Sequence, residues 1–132
     1  MKCVVILSFL SIFTLLGCSS DFDELAGNWV AESLSSGNLD CEEQLDGSYI
    51  LDIEARSETF GISLDINTCS GSIKGARRGN IEFKDPACTE ACCDSEGALC
   101  LLDALLKVDS YNLQGDELIL SGNSVEIVFK AQ

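Results

Sequence analysis

With 22 acidic residues against 8 basic ones and no histidine, this chain of 132 residues carries a formal charge of −14 at neutral pH, and each count removes a class of function. Nucleic acid is excluded as a partner because phosphate recognition runs on Lys and Arg, and Ser-His-Asp and Cys-His catalysis are excluded because no histidine is present to act as base. The length suits one domain with a workable core, and an acid excess of this size keeps a protein soluble and monomeric.

The first element is a leader. Lys2 precedes an apolar run from Val4 to Leu16, broken only by Ser8, Ser11 and Thr14. Such a run is too short for a bilayer, which takes about 20 apolar residues, and it matches the apolar region of a signal peptide. It ends in Leu15-Leu16-Gly17-Cys18, which resembles the lipobox of bacterial lipoproteins. That resemblance implies a diacylglycerol on the Cys18 thiol, cleavage before it, and acylation of the new amino terminus. Residues 1–17 are thus expected to be a signal peptide, 18–25 the lipidated cysteine and its tether, and 26–132 the folded domain. Two or more acyl chains hold a protein stably on a membrane, so the expected location is the cell envelope, with the membrane as partner through the lipid. Ser19 stands where lipoproteins kept at the inner membrane carry Asp, which favours the outer membrane, on its periplasmic or surface face.

From Gly27 the hydrophobic period is two. The stretches 27–34, 48–55 and 60–67 alternate apolar with polar residues, the third placing Phe60, Ile62, Leu64 and Ile66 on one face and Ser63, Asp65 and Asn67 on the other. This is the pattern of half-buried strands. Residues 70–76 and 80–84 flank Arg78-Gly79 as a hairpin, and residues 108–113, 117–121 and 124–130 are strands separated by turns at Gly115-Asp116 and Gly122-Asn123. Between the two groups Ala98, Leu99, Leu101, Leu102, Leu105 and Leu106 recur at helical spacing, predicting a helix from Ser95 to Lys107 with Asp94 or Ser95 as N-cap. The fold class is mostly β, with about eight antiparallel strands curled into a partly open barrel and one helix before the last three strands. Trp29, Tyr49, Phe60, Phe83, Tyr111 and Phe129 fall on inward phases. They are core by default, and in an open barrel some would line a cleft for an apolar ligand.

Cysteine supplies the remaining chemistry. Cys3 leaves with the leader and Cys18 carries lipid, so Cys41, Cys69, Cys88, Cys92, Cys93 and Cys100 remain. An even number in an exported domain reads as a disulfide framework with fifteen possible connectivities. Adjacent cysteines diverge in most backbone conformations, so Cys92 and Cys93 are expected to reach different partners. In that scheme Cys88 takes one of them, Cys69 the other, and Cys100 pairs with Cys41; a Cys41–Cys69 bond stays open as an alternative. A thiol oxidoreductase would place C-x-x-C at a helix N-terminus, whereas three residues, not two, separate Cys88 from Cys92. Redox work by the Cys88–Cys93 cluster is the alternative function. Zinc would ask for paired C-x-x-C ligands, which are absent, so no metal or cofactor is expected.

The motifs run in order from Leu25, Gly27 and Trp29 through Asn67-Thr68-Cys69-Ser70-Gly71, the cysteine segment 80–94 and a leucine-rich helix to Ser110-Tyr111 and Gly115, Asp116, Leu118 and Leu120. Their order resembles the META-domain, or HslJ-like, family. The extra cysteines, the Cys92-Cys93 pair above all, depart from the usual pattern. The resemblance implies an antiparallel barrel packed on one helix, in a family associated with envelope stress, and no established activity. The expected function is that of an envelope-anchored, non-enzymatic lipoprotein that binds an apolar ligand or a protein partner.

Overall fold

The computed structural model describes residues 22–37, Leu45 and 48–132. Among them the chain forms β1 (Gly27–Ser36), β2 (Ile50–Glu54), β3 (Thr59–Ser63), β4 (Thr68–Arg77), β5 (Asn80–Cys88), α1 (Glu96–Leu105), β6 (Ser110–Gln114), β7 (Glu117–Gly122) and β8 (Val125–Ala131). The strands pair in chain order, each antiparallel to the last, and β8 returns to β1 to close the barrel. The period-two pattern explains the arrangement. In β2 Leu51 and Ile53 are buried while Asp52 and Glu54 face water, and β8 buries Val125, Ile127 and Phe129 while exposing Glu126 and Lys130. A transmembrane barrel would carry its apolar residues outward; here they fill the interior. Phe60 and Phe83 meet edge to face inside it, their ring centroids 5.1 Å apart, and Trp29, Tyr49 and Phe129 are buried with them, whereas Tyr111 is only half-buried.

Closure is uneven around the barrel. β5 and β6 meet at the single pair Asn80↔Ser110, where the Tyr111 N–H donates to the Gly79 carbonyl at 2.8 Å and the Ile81 N–H to the Asp109 carbonyl at 3.1 Å. The helix is inserted here, so no tight turn holds the two strands in register. The partly open barrel expected from the sequence is thus a closed one with a thin seam. Beyond that pair β5 continues through exposed Glu82 and Lys84 to Asp85, whose φ is 53°, and Pro86. Charges, a left-handed residue and a proline are what keep an edge from recruiting further strands.

The two ends of the barrel are stopped differently. At one end the chain enters through a turn at residues 22–25; Phe22 and Leu25 are buried, and the Trp29 indole N–H donates to the Leu25 carbonyl at 2.8 Å. Gly27 sits between them with φ of 132°, a conformation open to glycine and costly for other residues. The packed unit therefore begins ahead of residue 26, taking in residues that the sequence alone leaves in the tether. The C-terminus lies at this same end, with the Gln132 N–H on the Asn28 carbonyl at 3.1 Å.

The helix covers the other end. Gly97, Ala98, Leu101, Ala104 and Leu105 are its buried residues, and the four that carry a side chain join the barrel core. Ser95 is its N-cap, its hydroxyl oxygen accepting from the Ala98 N–H at 3.2 Å, and beyond its last turn the Asn123 side chain donates to the Lys107 carbonyl at 2.8 Å. The helix is shorter than the predicted span of Ser95 to Lys107. Between β3 and β4 the alternation also breaks. β3 stops at Ser63 and the Leu64 N–H donates to the Asn67 carbonyl at 2.8 Å, so the turn reverses the phase. Ile66, expected inside, is 53% exposed, and Asn67, expected outside, is 8% exposed.

Candidate functional site

The segment from Cys88 to Ser95 links β5 to α1 and carries most of the cysteines among the described residues. A loop of this kind needs partners for its backbone, and Asn67 provides them. Its side-chain oxygen accepts from the Thr89 hydroxyl at 2.8 Å and the Ala91 N–H at 2.9 Å, while its amide nitrogen donates to the Ala91 carbonyl at 2.7 Å and to the Asp94 carboxylate at 2.5 Å. Two acceptor and two donor positions are the full capacity of an asparagine side chain. Asn67 thus holds the middle of the loop and its end at once.

Asp94 completes the anchorage from the loop side. One of its oxygens accepts from the backbone N–H groups of Ile66 at 2.8 Å and Asn67 at 3.1 Å. The Asn67 amide first, and the Ile66 N–H next, favour the charged form and hold the Asp94 carboxyl below the ordinary aspartate value. Asp65 acts in the same way on the residue that follows. Its carboxylate accepts from the Ser95 hydroxyl at 2.5 Å and the Ser95 N–H at 2.9 Å, which lower its pKa in that order of importance, while loss of solvent and, less, the nearby Asp94 charge oppose them. Asp94 therefore ties the loop to the β3–β4 turn, and capping falls to Ser95.

The sulfur pairing differs from the expected one. Cys69 and Cys88 are bonded to each other across β4 and β5, where they are register partners with Cα atoms 4.0 Å apart. Cys92 and Cys93 are bonded to each other, and the peptide bond between them is cis. The physical reason is that the ladder already sets Cys69 against Cys88, which leaves neither of them for the adjacent pair. Cys69 is fully buried, whereas Cys88, Cys92 and Cys93 are exposed. Cys100 is half-buried on α1 and is disulfide-bonded as well. The expected Cys41–Cys100 bond and the lipidation of Cys18 involve residues outside the described ones.

Around this loop the surface is apolar and acidic. Ile66 and Leu99 are each 53% exposed, the highest values among large apolar side chains of the described residues. Residues 88–106 include Glu90, Asp94, Glu96 and Asp103 and no Lys or Arg. Among the described residues no three His, Cys, Asp or Glu side chains come together as metal donors. Sequence reasoning singled out the cysteines and missed Asn67, whose only signal is an amide directly before Thr68-Cys69 at the end of an alternating run.

Comparison with known proteins bears on this architecture. The family model of the META domain matches residues 23–132, the span that runs from the entry turn to the C-terminus. No curated protein matches the chain. A DUF4847 family protein from Bacteroides vulgatus superposes with a TM-score of 0.60 at 14% identity, over 81% of this chain and 93% of its own. A protein from Burkholderia xenovorans, solved by NMR, superposes with a TM-score of 0.63 at 13% identity, over 96% of this chain and 99% of its own. At such identities the likeness concerns the fold.

Proposed function

Since the chain belongs to the META-domain family, we infer that it acts as a non-enzymatic binding module of the cell envelope, held to a membrane by lipid on Cys18. Its partner is a protein with a basic, partly apolar surface. The observation that carries this reading is the pairing of exposed Ile66 and Leu99 with a loop that Asn67 and Asp94 hold fixed. A preformed apolar surface binds without first having to be ordered. The acids around it, with no base between residues 88 and 106, choose a cationic partner. Binding at this end is favoured over an apolar ligand inside the barrel because buried Leu51, Phe60, Ile62, Phe83, Leu118 and Phe129 occupy that interior.

A photo-crosslinking residue placed at Ile66 or Leu99 in the full-length protein, expressed in its own cells, tests the surface. The expected result is a discrete adduct at both positions and none from Arg56, in the turn at the far end. Adducts from all three positions alike, or from none, would overturn it. The anchor is tested separately by metabolic labelling with a fatty acid, which should be lost in Cys18→Ser; equal labelling of the variant would remove the membrane from the proposal.

A further inference from the structure

The Cys92–Cys93 bond occupies a different chemical position from the other described disulfide. Thiol exchange requires a thiolate to reach one sulfur while the other departs with the electron pair, and it is faster when the departing thiolate is well stabilised. At Cys69–Cys88 only Cys88 is exposed. Attack there would expel Cys69, which is 0% exposed in the barrel core, where a thiolate is disfavoured by its apolar surroundings. Cys92 and Cys93 are both exposed, so either sulfur can be reached and either thiolate leaves into water.

Opening this bond also leaves the loop in place. Its anchors are the Asn67 bonds to Thr89, Ala91 and Asp94 and the Asp65 bonds to Ser95, none of which passes through sulfur. The neighbourhood is negative, which by itself disfavours a departing thiolate and therefore favours an incoming thiol that brings positive charge. Glu90 lies two residues before Cys92 and Asp94 directly follows Cys93, and no base occurs between residues 88 and 106. Asp94 and Asp65 are held in the charged form by their donors.

We propose that Cys92–Cys93 is an exchangeable disulfide that accepts thiols carried next to positive charge, forming a mixed disulfide on the protein surface. Written for attack at Cys93, the incoming thiol loses its proton to water and its sulfur bonds to Cys93. The Cys92–Cys93 bond breaks, and Cys92 leaves with the electron pair and takes up a proton. The thiol is the only co-reactant, and no net oxidation occurs. This chemistry goes beyond the binding role and does not depend on it.

The test uses the full-length protein in mild detergent, exposed at pH 8 and low salt to cysteamine or to 2-mercaptoethanesulfonate, quenched with acid, alkylated and mapped by peptide mass. Modification at Cys92 or Cys93 is expected to precede that at Cys69 and Cys88 by at least about tenfold in rate, with the near-ultraviolet circular dichroism retained. Cysteamine should react about three- to tenfold faster than the sulfonate, and the gap should shrink in 0.5 M salt and in Glu90→Gln with Glu96→Gln. Equal reactivity of the two disulfides, alkylation of Cys92 and Cys93 before any thiol is added, or indifference to the charge of the thiol would each overturn the proposal.

Discussion

Asn67 concentrates more of the site in one side chain than any cysteine does. With all four of its hydrogen-bonding positions used and its side chain buried, Asn67→Ala strips the Ala91 N–H and carbonyl of their partners and removes the side-chain donor from one Asp94 oxygen, while the other keeps the Ile66 and Asn67 backbone N–H groups. The expected loss is about 2–4 kcal/mol by urea unfolding, with residues 89–94 becoming the first site of limited proteolysis. The two aspartates add a pH dependence. Both carboxyls are more acidic in the fold than in the unfolded chain, so below the ordinary aspartate value of about 3.9 the unfolded state binds more protons. Their contribution is complete above that pH and is lost as pH falls through the lower folded values. Urea midpoints measured from pH 6 down to 2 should show this acid limb, and Asp94→Asn should make it shallower. None of this was legible in the sequence. Alternation carried through residue 67 puts Asn67 in water and Ile66 in the core, and only the turn at Leu64 reverses them.

The β4–β5 hairpin shows the reverse case, a pairing that the sequence carried in its turn rather than in its cysteine cluster. Arg77 pairs with Asn80, and eight residues back and eight forward from that pair are Cys69 and Cys88, themselves register partners. Bulges in the two strands compensate each other, so the count holds. Spacing within residues 88–93 gives no such constraint, which is why the pairings expected for Cys88, Cys92 and Cys93 fail. Gly71 lies at the first bulge, where a Cβ would meet the Lys84 carbonyl oxygen and the Phe60 ring. Gly71→Ala should therefore cost about 1–3 kcal/mol by urea unfolding. The two disulfides should also separate. Replacing Cys69 and Cys88 together by Ser is expected to cost about 3 kcal/mol, the value for a closed loop of this length. The same change at Cys92 and Cys93 should stay within about 0.5 kcal/mol.

Across the whole molecule, the alternating strands, the inserted helix and the turns at Arg78-Gly79 and Gly115-Asp116 were all readable, because each is a local signal repeated along the chain. The family was readable from the order of several weak motifs, of which Leu25, Gly27 and Trp29 now have a physical meaning as one folded-back turn. The closing of the barrel was not readable, since β1 and β8 are separated by nearly the entire chain. Its thin seam should open first. In native-state hydrogen exchange the Tyr111 and Ile81 amides, which bridge β5 and β6, are expected to exchange well before those joining β7 and β8; equal protection would mean that the barrel opens as a unit.

The Gln132 bond to Asn28 sets the C-terminal residue beside the start of β1, the strand that the entry turn feeds, on the end away from α1. Immobilising the protein by its C-terminus would therefore point it the same way as a tether leaving ahead of Phe22. A C-terminally captured protein on a sensor surface would present Ile66, Leu99 and the Cys92–Cys93 loop to solution, in the orientation that a membrane attachment through the N-terminal segment would impose.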